Sequence, residues 1–323
     1  MKAIVQDVYG TSEVLELREV DRPAPGEREV LVRVRAAGVN IADWFVATGT
    51  PYVLRLAGFG VRRPKRTTPG TDVAGVVEAV GGGVTQFRPG DEVFGSGRAT
   101  FAEYAVADEE HLVAKPAAVT FEQAAGLPLA GLTALQGLRD AARLAAGQRL
   151  LVNGSSGGIG TYAVQLAKAT GAEVTAVCGP HNVDLVRELG ADHVVDYSRE
   201  DFTRTSERYD AILDHIANHP VTTLLRLLTP TGVLVPNSGR GGRWLGSGPY
   251  LLRAKAVAPF TRRRVGSFLS RPTRADLAEL AGMAASGRIT TVVGRTYPLP
   301  EAGRALRHVA DGHARGKVVV TAP

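Results

Sequence analysis

The sequence predicts an α/β protein, a doubly wound parallel sheet joined to a separate β-rich domain. Three observations carry that reading. Residues 149–170, RLLVNGSSGGIGTYAVQLAKAT, run from a short apolar stretch through a glycine-rich turn into a helical pattern. Apolar runs at Val174–Cys178, His193–Val195, Ala211–Asp214 and Val233–Val235 then alternate with helix-like stretches at Val183–Leu189 and Val221–Leu228, the rhythm of strands joined by crossover helices. Before residue 123 the pattern differs, with short apolar runs bounded by Gly and Pro, as in an all-β domain.

Taken in order, strands are expected at Ala3–Val5, Val30–Val34, Val73–Val80, Asp91–Phe94 and Phe101–Val106, with turns such as Arg88-Pro89-Gly90-Asp91 between them. The pattern turns helical from Phe121 to Ala146. Leu150, Leu151 and Val152 then read as a buried strand, and Ile159, Ala163, Leu166 and Ala167 fall on one helical face. Val265–Leu269 reads as the last strand of this sheet. After Pro272 come a helix at Arg274–Ala285, a strand at Thr291–Val293, a helix at Pro300–Ala310 and a strand at Lys317–Thr321, a segment expected to rejoin the first domain. Arg240–Gly248 is glycine-rich and reads as a mobile loop.

Composition narrows the class. The 323 residues are 44% hydrophobic, enough for about two domains with a large core. No apolar run reaches eighteen residues and the amino-terminal MKAIVQDVYG has no signal-peptide pattern, so the expectation is a cytoplasmic protein with no membrane partner. Cys178 is the one cysteine, which excludes an intramolecular disulfide and multi-cysteine metal sites. The net charge of +6 comes with only 6% aromatics and no nucleic-acid motif, so the basic runs VRRPKR and TRRRV read as solvated surface rather than a nucleic-acid site.

The glycine turn is the chief chemical signal. Gly154, Gly157 and Gly160 permit a tight turn, close approach of backbone to a phosphate, and close packing of helix on strand, while helix-start N–H groups meet negative charge. That is the fingerprint of a Rossmann dinucleotide site. The second strand ends VTAVCGPHN with no acid to hold the ribose 2′-hydroxyl of NAD, which favours NADP over NAD.

The succession AAGVNIADW, PGTDVAGVVEAVG, RPGDEVFG, GLTAL, NGSSGGIGTYAVQLAK and GHARGKVVV resembles the medium-chain dehydrogenase/reductase superfamily over essentially the whole chain. Within it the chain is similar to the zinc-independent quinone oxidoreductase and enoyl reductase branch that includes the reticulon-interacting proteins. The resemblance implies a GroES-like substrate domain at 1–123, a Rossmann domain at 124–271, a carboxyl-terminal segment 272–323 returning to the first domain, and a homodimer. Zinc members of the superfamily carry Cys where Asn40 stands and His-Glu where Thr71-Asp72 stands, so no catalytic zinc is expected.

The resemblance also assigns residues. Thr133 would hold the nicotinamide amide, or else be a helix hydroxyl bonded to its own backbone. Ser155, Ser156, Gly157, Gly158 and Ile159 would hold the pyrophosphate. Cys178, His181, Tyr197, Ser238 and Lys317 would border the rest of the cofactor, with His181 standing where relatives place an Arg for the 2′-phosphate. Asn40, Tyr52 and His215 are the catalytic candidates, Tyr52 being alternatively a packed loop aromatic and His215 a neutral packing residue; Asp43 is read as a loop anchor. The expected chemistry is NADPH-dependent, zinc-independent hydride transfer to a small-molecule quinone or activated C=C. The alternatives are an acid/base cyclase or isomerase on the same fold, and a non-catalytic NADPH-sensing protein.

Overall fold

The computed structural model describes residues 1–237, 241–266, 268–312 and 314–323, without the side chain of Pro259. Contacts divide the chain into two compact units, Met1–Leu132 with Arg271–Pro323, and Thr133–Ser270.

The first unit opens with an antiparallel pair, β1 (Lys2–Val5) and β2 (Glu16–Glu19). β3 (Glu29–Val39) follows, and in its first half alternation sends Val30, Val32 and Val34 into the core while Arg33 and Arg35 face solvent. Then come α1 (Ile41–Thr48), β4 (Asp72–Val80), β5 (Glu92–Ser96), β6 (Tyr104–Asp108) and β7 (Leu112–Ala114). α2 (Phe121–Gly126) starts with a reciprocal cap: Gln123 N–H donates to Thr120 Oγ1 at 3.2 Å, and Thr120 N–H donates to Gln123 Oε1 at 3.1 Å. α3 (Pro128–Gln136) crosses the division between the units.

The second unit runs β8 (Arg149–Asn153), α4 (Gly158–Thr170), β9 (Glu173–Cys178), α5 (Val183–Glu188), β10 (His193–Asp196), β11 (Tyr209–Asp214), α6 (Val221–Arg226), β12 (Leu228–Pro236), α7 (Gly248–Val257) and β13 (Arg264–Val265). Its sheet is parallel throughout, in the order β10-β9-β8-β11-β12-β13. The chain reverses its winding between β8 and β11, and in such sheets ligands bind outside the carboxyl ends of the strands at that reversal. Leu150, Leu151, Val152, Ile212 and Leu234 are fully buried. They make the near-continuous apolar runs that a sheet covered on both faces requires.

The chain then returns to the first unit through α8 (Arg274–Ala285), β14 (Val293–Pro298), α9 (Ala302–Ala310) and β15 (Lys317–Thr321). β15 pairs with both β14 and β3, completing the order β14-β15-β3-β4-β5-β7 with β6 also on β3. Val30, Val32, Val73, Leu112, Tyr297 and Leu306 share its core.

Four sequence expectations move. The glycine-rich stretch read as loop at Arg240–Gly248 gives way at Gly248 to a helix, Gly248–Val257, that the sequence reading did not assign; Pro249 sits in its first turn, where a missing N–H costs nothing. Of the strand expected at Val265–Leu269, pairing among the described residues is found at Arg264–Val265. The strand expected at Thr291–Val293 begins only at Val293 and runs to Pro298, while the Thr291 hydroxyl donates to the Gln123 carbonyl of α2 at 2.9 Å. Ile41–Thr48, read as a loop, is a helix with Asn40 at its amino end.

Candidate functional site

Gly154 follows β8 with φ +89°, in the left-handed region open to glycine. Ser155 is fully buried, and its hydroxyl donates to the Val177 carbonyl at 2.9 Å. It therefore ties the turn to β9, leaving Ser156, Gly157, Gly158 and Ile159, all half-buried, as the open face at the start of α4. The two remaining glycines differ. A Cβ at Gly160 would stand 2.2 Å from the Gly154 carbonyl oxygen, whereas one at Gly157 would meet nothing nearer than 3.6 Å. Gly160 is needed for packing; Gly157 keeps the open face bare for an anion.

At the winding reversal a polar network closes the ends of β8 and β11. Asp214 is fully buried, and its Oδ1 accepts from Asn153 Nδ2 at 2.8 Å and from the Ala217 N–H at 3.0 Å. Its Oδ2 accepts from the Tyr250 hydroxyl of α7 at 2.7 Å. Burial, and then the Asp214 charge beside it, push the Tyr250 phenol far above its ordinary range. Sequence reasoning missed Asn153, Asp214 and Tyr250 as a group. The available signal was a polar residue ending each of two apolar strands.

His215 packs against the turn, with its Cβ 3.4 Å from where a Gly154 Cβ would stand. Its Nδ1 lies 3.5 Å from Asn237 Nδ2, and its shielded Nε2 has no partner among the described residues. Burial, only partly opposed by Asp214, pulls its pKa down to about 4, so the ring is neutral at pH 7. Between about pH 4 and 6.5 the unfolded chain then binds a proton that the folded one does not, and this residue's contribution to stability is lost as pH falls through that window. His215→Gln should remove the slope. In urea unfolding, the stability difference between variant and parent should move in the variant's favour by about 2 kcal/mol from pH 7 to pH 4; a pH-independent difference contradicts a neutral, shielded ring.

The other cofactor candidates scatter along the same unit. Thr133 is buried in α3. Cys178 is 2% exposed, and burial pushes its thiol up to about 11, so it is a packed, unreactive end to β9. His181 is exposed in the turn after β9, near the carboxylate of Asp196, which ends the neighbouring β10. Tyr197 is exposed, with its hydroxyl 2.9 Å from where a Gly179 Cβ would be, so its ring lies over the end of β9. Tyr197 also lines a shallow hollow of about 580 Å³ with Arg199 and Arg204. Ser238 lies outside the described residues.

The first unit holds a separate buried cluster. Asn40 ends β3 and starts α1, where its N–H donates to the Asp43 carboxylate at 2.8 Å. Asp43 is thus a helix-capping anchor. Asn40 Nδ2 donates to Asp72 Oδ2 at 2.9 Å, Lys317 Nζ donates to Asn40 Oδ1 at 2.6 Å and to the Val39 carbonyl at 3.1 Å, and all four side chains are nearly or fully buried. Burial raises Asp43 to about 7, opposed by the Asn40 N–H and Lys317 and reinforced by the Asp72 charge; burial likewise raises Asp72 against Lys317, and lowers Lys317 against the two carboxylates. Lys317 is therefore an interior group that fixes the Asn40 amide. Tyr52 is half-buried outside this cluster, its ring 4.8 Å from the Arg55 guanidinium.

The same two-part organisation is found in known proteins. The family model described as alcohol dehydrogenase GroES-like domain matches residues 26–117, and the one described as zinc-binding dehydrogenase matches 189–320. The chloroplastic quinone-oxidoreductase QR1 of Triphysaria versicolor is 34% identical across 99% of this chain and 98% of its own. The chain belongs to the medium-chain dehydrogenase/reductase superfamily, in its quinone oxidoreductase branch. The mitochondrial NAD(P)H oxidoreductase RTN4IP1 of Homo sapiens is 33% identical across 99% of this chain and 89% of its own. The solved structure of Escherichia coli quinone oxidoreductase complexed with NADPH superposes with a TM-score of 0.85 at 25% identity, covering 99% of this chain and all of that one.

Zinc, named by one of those family models, does not fit this member of the superfamily. At the positions where zinc relatives carry ligands stand an amide, the Thr71 hydroxyl and one carboxylate, and the amide oxygen is already taken by the Lys317 ammonium. No group of three or more His, Cys, Asp or Glu that could hold a metal occurs among the described residues. A dinucleotide does fit: Gly157 leaves the cradle at the start of α4 bare where a Cβ would otherwise project.

Proposed function

We propose that the protein is an NADPH-dependent reductase of quinones and of C=C bonds conjugated to a carbonyl, acting without zinc. The observation that carries the proposal is the bare glycine cradle at Ser156–Ile159 beside the Asn153–Asp214 network, in a chain whose full-length relatives include named quinone and NAD(P)H oxidoreductases. NADPH supplies a hydride when bound. The protein's part is to hold, orient and stabilise. The N–H groups at the start of α4 would take the pyrophosphate, Thr133 the nicotinamide amide, and His181 and Tyr197 the adenosine end.

Asn40 is suited to stabilising an oxyanion. Its Oδ1 is held by an ammonium, which draws electron density from the amide and sharpens Nδ2 as a donor; one Nδ2 hydrogen goes to Asp72 and one remains. Tyr52 is the residue we assign as proton donor. His215, neutral down to about pH 4, is mismatched to acid catalysis near neutrality, which weighs against an isomerase built on it. The proposal includes a cytoplasmic homodimer, although the Triphysaria and human relatives are chloroplastic and mitochondrial.

Fluorescence titration with NADPH and NADH, followed by turnover with simple benzoquinones and enones, tests the assignment. NADPH should bind more tightly and be consumed with both substrate types. Equal or better turnover with NADH contradicts the cofactor choice, and product formation without nicotinamide oxidation supports the cyclase or isomerase instead.

A further inference from the structure

One turn of helix joins Tyr52 to Arg55. The Leu54 N–H donates to the Pro51 carbonyl at 2.9 Å and the Arg55 N–H to the Tyr52 carbonyl at 3.1 Å, so the two side chains, three residues apart, lie on one side of the turn. The Arg55 guanidinium is 4.8 Å from the centre of the Tyr52 ring and 4.3 Å from that of Tyr9. It also donates from Nε to the Gly49 carbonyl at 2.9 Å and from Nη2 to the Thr48 carbonyl at 3.3 Å, closing the carboxyl end of α1. The packing there is close: a Cβ at Gly49 would stand 2.6 Å from Tyr9 Cδ1 and 2.7 Å from Arg55 Nε. Arg55 is half-buried, and no carboxylate pairs with it among the described residues.

A helix cap alone asks for less. A lysine ammonium would serve the two carbonyls, whereas a flat guanidinium can bond in its plane and lie against ring faces at the same time. The Tyr9 hydroxyl is spent on the Phe59 and Gly60 carbonyls, at 2.8 and 2.6 Å. Tyr9 thus anchors Arg55, and Arg55 in turn holds the Tyr52 ring. When a phenol gives up its proton, the charge left behind spreads into the ring, and here it meets a cation already in place. We propose that Arg55 is a positioning residue for proton transfer from Tyr52, holding the ring and stabilising the phenolate that forms. The role rests on the reductase reading and adds to it a division between substrates. With an enone, hydride adds to the β-carbon and the C=C pair moves into an enolate. The Tyr52 O–H bond then breaks to protonate the α-carbon, leaving its electron pair on the phenolate oxygen, which water re-protonates. With a benzoquinone, hydride addition leaves a hydroquinone anion that takes its proton from water directly, without Tyr52.

Turnover of a cyclic enone and of a benzoquinone by the full chain separates the two. Arg55→Met should lower kcat for the enone about tenfold at unchanged KM and leave kcat for the quinone within about twofold. Arg55→Lys, which keeps the charge but not the flat stack, should lose about threefold on the enone. Tyr52→Phe should lose at least as much as Arg55→Met, and the double variant no more than Tyr52→Phe alone, because both side chains act on one step. With an α-methyl enone the parent should give one α-epimer and Arg55→Met a mixture, since water reaches the enolate from either face. Equal losses on the two substrates, additive losses in the double variant, an unchanged epimer ratio in Arg55→Met, or a parent active on the quinone alone would overturn the role of Arg55 and leave the reductase reading standing. A parent that reduces neither substrate overturns that reading, and the role of Arg55 with it.

Discussion

Gly160→Ala should abolish measurable NADPH binding and cost several kcal/mol of stability. The added Cβ would lie 2.2 Å from the Gly154 carbonyl oxygen and 2.7 Å from Ser155 backbone atoms, and backbone cannot rotate away as a side chain can. Either α4 shifts off β8, or the turn opens and the Ser155–Val177 tie breaks. Overpacking of this kind costs roughly 1–3 kcal/mol where neighbours are flexible, and here they are not. Gly157→Ala provides the contrast. Its Cβ meets only one atom, at 3.6 Å, so unfolding should change by no more than about 1 kcal/mol, the usual cost of losing a favoured residue at the helix start. NADPH affinity should nevertheless fall more than about tenfold, because the methyl projects where the pyrophosphate would approach. Urea unfolding and NADPH titration of both variants check the pair. Equal affinity for Gly157→Ala and parent would remove the pyrophosphate from this turn.

Lys317→Met should destabilise the protein by about 3–5 kcal/mol near pH 8, since removing one partner strands the buried carboxylates and the Asn40 oxygen. The penalty should depend on pH in a stated direction. Asp43 and Asp72 already have folded pKa values raised above those of the free acids, so the folded state takes up protons that the unfolded chain does not, and stability from these groups increases as pH falls through about 7. Without the ammonium that opposes this, both carboxyls rise further and the slope steepens. The variant should therefore regain about 1–2 kcal/mol relative to the parent between about pH 8 and pH 5.5. It should also lose kcat more than KM, because Asn40 is no longer fixed. A pH-independent penalty would mean that Lys317 acts by packing alone.

The sequence made the centre of the second unit legible because Leu150–Val152, Ala211–Leu213 and Val233–Val235 are uninterrupted apolar runs separated by helix-like stretches; the parallel order follows from those signals and right-handed connections. It also located the glycine turn, since spacing there is itself the mechanism. It could not separate Ser155, whose hydroxyl is spent inside, from Ser156, because the two differ only in which way the turn points them. α1 and α7 were hidden by their short length and by Gly and Pro nearby, residues that mark a loop as readily as a helix end. The Asn40–Asp72–Lys317 cluster joins residues far apart in the chain, brought together when β15 pairs beside β3. A local pattern carries no trace of that pairing, so Lys317 could be read only as bordering the cofactor, not as a partner of Asn40. The missing zinc ligands at Asn40 and Thr71 were visible as substitutions; that an ammonium holds the amide standing there was not.

The most direct test is oxidation of NADPH by a benzoquinone, followed by loss of nicotinamide absorbance, using protein treated exhaustively with a strong chelator. NADPH should disappear in proportion to quinone reduced, at the same rate before and after chelation and with no gain on adding zinc. Failure to oxidise NADPH with any quinone or enone, or activity that vanishes on chelation and returns with zinc, would contradict metal-free reduction at this site.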